Sequence, residues 1–507
     1  MSSQVTAERP PTPPAAGSDA PPLRGRGWSS RRAALAALAG TGALAALARL
    51  PFLGAGIGPD EGGYAYIARE WLRGARLYET LWIDRPQGLL SVYRGIVTVA
   101  DHPWAFRLTA LLIGVGITLL VGAIGWMLRG PGTGVAAAVV YAVVGAGPNI
   151  EGFTLNGELL AALPATAAVA CALAWWHSGR DRWLFAAGVL GGSGITMKQA
   201  GFDGLLAAVA LAWVARAGWR TQARSTLLIT AGALVPLGAA LVHGLSVGLG
   251  TYWDAIAGFR LSSDFNDGSR SYFFNASFPY VKDDLLALAV VAVIGLGAVA
   301  LTRRRGEAVV LLVWLLAGIL ALNAGHNFWP HYYVQLVPVL AVLAGIGATA
   351  FGSRPLAAVL CSAAMAPVAV SLVGIATKAD GYRVRYEKSY RVDRQVAAFV
   401  RANSRPSDTV YALDSRAELY YLADRSSGYP YLWHHSPLLT PTGLALLRLY
   451  LTGPGRPKIV VTYRDARHFD RTGLTAIAIR RGYRLVWRPK RGIRVYLRRP
   501  VRFGTVH

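Results

Sequence analysis

Apolar runs of about 16 to 24 residues alternate with short polar islands along most of this chain. That length suits helices crossing a hydrocarbon layer of roughly 30 Å. The runs fall near 33–53, 105–128, 133–148, 158–176, 183–198, 202–216, 226–249, 283–301, 307–323, 331–351 and 355–376, about eleven spans. Those at 133–148 and 202–216 are short enough to be tilted, broken or re-entrant. Residues 1–30 are rich in Pro, Ala, Ser and Arg without periodicity and read as a disordered cytoplasmic tail. Arg31 and Arg32 before AALAALAGTGALAALARL imitate a signal peptide, but the later spans favour an uncleaved first helix. From about 377 the pattern changes. VDRQVAAFVRANS, AELYYLA and TGLALLRLYLTG have helical spacing, whereas DTVYAL, PKIVVTY, GYRLVWR and IRVYLRR read as strands. The expected fold class is an α-helical polytopic membrane protein over 31–376 with a small C-terminal α/β domain over 377–507.

Arginine placement orients the spans. Arg129, Arg180, Arg182, Arg216, Arg220, Arg224, Arg303, Arg304, Arg305 and Arg354 fall in loops that alternate with the arginine-free loops 149–157 and 324–330. The positive-inside rule then puts the N-terminus in the cytoplasm. An odd number of spans puts the C-terminal domain outside. The first outer loop, about 54–104, breaks the rule with Arg69, Arg73, Arg76, Arg85 and Arg94. Either a long loop tolerates exported charge, or these groups face lipid phosphates; one or two of the five are expected to be functional. Within that loop Tyr64, Ile67, Ala68, Trp71 and Leu72 recur at helical spacing. Leu89, Leu90, Tyr93, Ile96 and Val97 do the same after Pro86. Both segments are expected to be amphipathic helices lying on the outer membrane surface.

The chain has 507 residues, 53% of them hydrophobic and 16% charged, with a formal net charge of +25. In a soluble protein that charge would point to nucleic acid. Here the arginines sit at membrane edges and in the tail, so anionic headgroups and phosphates are the expected partners, along with the bilayer itself, and no nucleic-acid motif is present. Cys171 and Cys361 lie in apolar runs and suit packing rather than a disulfide or metal framework. GPGRP lacks the strand-to-helix setting of a phosphate loop. No internal repeat supports a transporter built from inverted halves. High Ala, Gly and Arg usage suggests a GC-rich bacterium, so the expected location is a bacterial plasma membrane.

Ionisable residues at membrane level default to functional hypotheses. Asp60 and Glu61 follow the first span and are either a helix cap or a carboxylate pair in which one member takes a proton from an acceptor hydroxyl. NIEGFTLNGELL offers Glu151, Asn156 and Glu158, as ordinary loop polarity with Asn156 as a cap, or as a second acidic group over the same cleft. Lys198 in GITMKQAGF either snorkels or neutralises a leaving phosphate. NAGHNFWPHYYVQ gathers His326, His331, Tyr332, Tyr333 and Gln335, as part of an aromatic belt or as contacts to phosphate and sugar. Two histidines five apart are not a standard metal pair; the second acid of the Asp60–Glu61 pair could orient the acceptor or bind a metal, so a divalent cation stays open and no cofactor is assigned. All four places fall on the same expected face.

PDEGGYAYIAREWLRGARLYETLWIDRPQGLLSVYR after an apolar first span resembles the polytopic GT-C glycosyltransferases. The nearest groups are bacterial relatives of the protein O-mannosyltransferases, the lipid A aminoarabinose transferases and the rhizobial lipopolysaccharide core transferases. Asp60, Glu61, Tyr64, Arg85 and Pro86 match the first-loop motif, and KQAGF at 198–202 and HYYVQLVP at 331–338 resemble further segments; the likeness covers roughly 35–350. It implies transfer of a sugar, with inversion, from a polyprenyl-phosphate-linked donor to an extracytoplasmic glycan, lipid or protein. Asp60, with Glu61, is the implied catalytic acid pair. Lys198, Arg85, His331 and His326 are the implied contacts to donor phosphate, and Tyr64, Glu158, Asn156, Tyr332 and Gln335 those to acceptor or sugar. RPQG departs from the two prolines many relatives carry. A flippase of lipid-linked sugars and a non-catalytic scaffold that binds wall polymers remain as alternatives.

Overall fold

The computed structural model describes residues 28–262, 273–302, 304–324, 328–377, 387–434, 438 and 440–500. Most of the expected N-terminal tail, and His326, lie outside the described residues. Among these residues the first part of the chain forms helices α1 Trp28–Arg49, α2 Pro59–Leu72, α3 Gln87–Val99, α4 Pro103–Arg129, α5 Pro131–Val144, α6 Gly157–Ser178, α7 Arg182–Met197, α8 Asp203–Val214 and α9 Trp219–Val247. Further long helices cover Phe278–Ala300, Arg305–Ala324, Val337–Thr349 and Arg354–Ala376. A helix therefore lies under each apolar run. Eight are long and apolar enough to cross a membrane, counting Pro330–Thr349 as one. Helices α5, α7 and α8 have 14, 16 and 12 residues and rise only about 21, 24 and 18 Å. That falls short of a roughly 30 Å layer, so among the described residues eight helices have the length and apolarity to span it and three runs fold as shorter helices.

Local chemistry sets the helix starts on the side that carries the candidate residues. Pro59 and Pro103 stand in first turns, where a missing N–H costs nothing. Asn156 caps α6 by accepting from the N–H of Leu159 at 2.8 Å. The loop before it is pinned by Asp284, which accepts from the N–H groups of Asn149 at 2.8 Å and Ile150 at 3.0 Å. Residues 330–336 form a tight 3-10 segment before the most buried of the long helices, which gathers His331 and Tyr332 at one end of the bundle.

The C-terminal part is a four-stranded sheet in the order β1-β2-β4-β3, built from β1 Val410–Leu413, β2 Ile459–Thr462, β3 Tyr483–Trp487 and β4 Arg494–Arg498. Strands β1 and β2 pair in parallel, from Val410 opposite Ile459 to Leu413 opposite Thr462, and the other pairings are antiparallel. Both parallel strands are wholly buried, as expected where helices cover both faces. Tyr411, Leu413, Leu447, Leu451, Val460 and Tyr483 centre the core of this part.

The two parts meet along α2. Its outer face is covered by the helix Glu418–Ala423, and every residue from Glu61 to Ala68 is buried. This corrects the expectation that 64–72 lies on the membrane surface as an amphipathic helix. A side chain at Gly62 would bring its Cβ within 2.5 Å of the Cα of Glu418, so the close approach requires glycine there. Polar groups at the far end of α2 stitch the same contact. Arg69, held by Asp101 of the helical part at 2.8 and 2.9 Å, donates across to the carbonyl of Tyr421 at 3.1 Å and to Asp424 at 3.3 Å, and Ser426 donates to Glu70 at 2.8 Å.

Candidate active site

A cavity of about 390 Å³ opens where the N-terminal end of α2, the loops before α3 and α6, and the 330–336 turn face the C-terminal part. Asp60, Glu61, Arg85, Glu151, Asn156, Arg260, Trp329, His331 and Tyr332 line one side; Asp414, Ser415, Arg416, Trp433, His434 and Arg464 line the other. Asp414 directly follows β1 and Arg464 lies just past β2. The C-terminal part thus meets the cavity with the carboxyl ends of its parallel strands, the edge where open α/β sheets commonly bind ligands. A smaller cavity of about 140 Å³ shares Arg85, Arg260 and Tyr332 with the first and adds Lys198 and Gln199.

The two acids after the first span have separate fates. Asp60 is partly buried in the cavity wall. The indole of Trp433 donates to its Oδ1 at 3.1 Å. Burial raises the pKa of its carboxyl, and the like charge of Glu158 adds to this; His331, Arg85 and the Trp433 bond pull the other way without cancelling the rise. Glu61 is instead committed to structure. Arg107 of α4 clasps its carboxylate through both Nη atoms, with Nη2 to Oε2 at 2.7 Å. The N–H groups of Leu155 and Gly58 donate to it at 2.7 and 3.1 Å. Both oxygens of Glu61 are thus occupied by protein donors at the wall of the same cavity.

Two arginines share one acid at the seam of the cavities. Arg85 contacts Asp84 at 2.9 Å, and Arg260 donates to the other oxygen of Asp84. Two positive charges against one negative leave a net positive charge facing the space. The Nε of Arg260 is buried without a hydrogen-bond partner, a spare donor of the kind that a phosphate oxygen satisfies. Lys198 donates to Glu158 at 2.5 Å, and its Nζ stands 3.9 Å over the ring of Tyr332. His331 pairs through Nδ1 with Glu151 at 2.8 Å.

The structure therefore brings Asp60, Glu61, Arg85, His331, Asn156 and Tyr332 to one cavity and Lys198 to its neighbour. It keeps three expected residues off the walls. Tyr64 is buried against Tyr93 and Trp433, Glu158 faces Lys198, and Gln335 donates to Ala200 at 3.0 Å and Asp203 at 2.6 Å. Their polar groups are held by protein partners or packed under aromatic rings. Of the five first-loop arginines only Arg85 lines the cavity; Arg73 pairs with Glu70, Arg76 with Glu79, and Arg94 lies over Trp71. Arg260 and the C-terminal wall were not expected. The rule that flagged the first loop, arginine on the arginine-poor side, also marks Arg260. Among the described residues no group of three or more His, Cys, Asp or Glu is placed to hold a metal ion.

No protein-family model matches the chain, and no curated protein matches it. Solved structures do. The crystal structure of ArnT from Cupriavidus metallidurans bound to undecaprenyl phosphate superposes with a TM-score of 0.64 at 15% identity, covering 93% of this chain and 98% of that one. The archaeal oligosaccharyltransferase AglB from Archaeoglobus fulgidus, in complex with an inhibitory peptide and a dolichol-phosphate, gives 0.61 at 14% identity, covering 93% and 75%. Both are GT-C superfamily proteins, and what this chain shares with them is the GT-C fold.

Proposed function

We propose that the protein is a membrane glycosyltransferase that moves a sugar from a polyprenyl-phosphate-linked donor to an acceptor on the extracytoplasmic face. The observation that carries this reading is the Arg85–Asp84–Arg260 group, with its unpartnered Arg260 Nε, next to a raised-pKa carboxylate in one cavity. Its support in the fold is the likeness to ArnT and AglB, whose structures hold undecaprenyl phosphate and dolichol-phosphate.

In this scheme Asp60 takes the proton of an acceptor hydroxyl as its oxygen attacks the anomeric carbon. The bond to the lipid phosphate breaks on the opposite side, and the phosphate leaves with the electron pair. Negative charge grows on that phosphate in the transition state, so Arg85, Arg260 and Lys198 stabilise the transition state more than the ground state. A single displacement inverts the anomeric configuration. The cavity lies on the side predicted to be extracytoplasmic from arginine placement.

The donor side is tested by mass spectrometry of lipid retained by the purified protein supplied with polyprenyl phosphate. Wild type is expected to retain it, and Arg260→Ala to retain roughly 10-fold less, as for loss of a hydrogen bond to a charged group. Equal retention by both proteins, or none by wild type, contradicts the assignment.

A further inference from the structure

Asp60 and Trp433 are 373 residues apart, yet the indole Nε1 of Trp433 donates to Asp60 at 3.1 Å. The contact is built from both sides. Trp433 is only 6% exposed and packs on Tyr64 with ring centroids 6.1 Å apart. Its bed is Gly63, one helical step from the catalytic turn. A Cβ at 63 would lie 2.8 Å from the Cη2 of Trp433 and 2.7 Å from the Cβ of Ala417, so any side chain there displaces the indole. The segment leading to Trp433 is tied down as well: the N–H of Trp82 donates to the carbonyl of Pro430 at 3.3 Å. The same contact links this segment to the loop that carries Arg85.

An ionised carboxylate only accepts hydrogen bonds. A donor held on one oxygen fixes the carboxylate plane and leaves the second oxygen to take the proton. We propose that Trp433 is a positioning residue for Asp60: the C-terminal part supplies the hydrogen bond that orients the base, so the site is complete only when that part is docked on α2. The proposal rests on Asp60 acting as the base.

The charged and titratable groups that share the cavity with Asp60 are Glu61, Arg85, Glu151, Arg260, His331 and Tyr332 on its own side and Asp414, Arg416, His434 and Arg464 across it, with Glu158 acting on it from behind the wall. Trp433→Phe removes none of them and keeps the ring. It removes a bond that favours the ionised form of Asp60, so the base ionises at higher pH in the variant. The test measures kcat/KM against pH for the full-length protein in vesicles, comparing wild type, Trp433→Phe, Gly63→Ala and Asp60→Asn. The expected result for Trp433→Phe is a loss of about 10- to 100-fold on the acid side, the range for a hydrogen bond to a charged group, which shrinks as pH rises, with KM for the donor unchanged. Gly63→Ala, which crowds the indole but keeps its N–H, is expected to move the acid limb the same way. An acid limb left at its wild-type position in Trp433→Phe, whether activity is kept or falls equally at all pH, overturns the proposal. Wild-type activity in Asp60→Asn would instead reject the base, whatever Trp433→Phe does.

Discussion

Replacing Glu61 by Gln keeps the shape of the side chain but removes the charge beneath the guanidinium of Arg107. In the native structure that carboxylate accepts from both Nη atoms of Arg107, from Leu155 and from Gly58, and its side chain is 3% exposed. An amide there offers one oxygen to four donors, adds N–H groups of its own, and leaves Arg107 a buried, uncompensated charge. Removing one partner of a buried pair costs about 3–5 kcal/mol. At about 2 °C per kcal/mol, the low end for large domains, the midpoint of thermal unfolding in detergent falls by roughly 6–10 °C. Arg107→Met is expected to cost a similar amount, and the double variant less than the sum, because both changes remove one interaction. Transfer measured per folded molecule is expected to stay within a few-fold of wild type, since both oxygens of Glu61 are already filled by protein donors. A Glu61→Gln protein with an unchanged midpoint and no transfer would refute this account and return Glu61 to the chemistry.

Other perturbations probe neighbouring parts. Gly62→Ala drives a Cβ into the backbone of Glu418; it is expected to cost about 1–3 kcal/mol and to raise hydrogen exchange in 418–423, and unchanged exchange would contradict the docking role. Lys198→Met strands Glu158 beneath the cavities and is expected to lower the thermal midpoint and raise KM for the donor, whereas Lys198→Arg keeps most of both; a silent Lys198→Met would remove that residue from the phosphate site. Burial raises the pKa of Asp60 from its ordinary value of 3.8, and a base must be ionised. Transfer is therefore expected to rise with pH along an acid limb centred above that value, and a limb at or below it would argue against Asp60 as the base.

Apolar periodicity located the helices because each run buries its own backbone hydrogen bonds and needs no information from elsewhere. The strands at 410–413 and 459–462 were legible as short unbroken apolar runs, although their hydrogen bonds are made to each other across the sheet. Length separated full spans from α5, α7 and α8, a distinction that hydropathy alone blurred. Asp60 was legible from position, as a charged residue just past the first span. What was not legible depends on partners distant in sequence. Nothing local says that Glu61 finds Arg107 while its neighbour does not. Helix α2 reads as amphipathic, yet the helix Glu418–Ala423, far along the chain, covers its polar face. Trp433, in YLWHH, carries no period and no spacing signal; only the fold brings it to Asp60.

The most direct test is transfer itself. Purified full-length protein in liposomes, given a labelled polyprenyl-phosphate sugar and an extract of envelope acceptors, should move label to acceptor. Asp60→Asn, with wild-type folding and lipid retention, should lower that transfer by at least about 100-fold, as removal of a general base does. Transfer by Asp60→Asn at the wild-type rate, or label crossing the bilayer with its sugar–phosphate bond intact, would contradict the account.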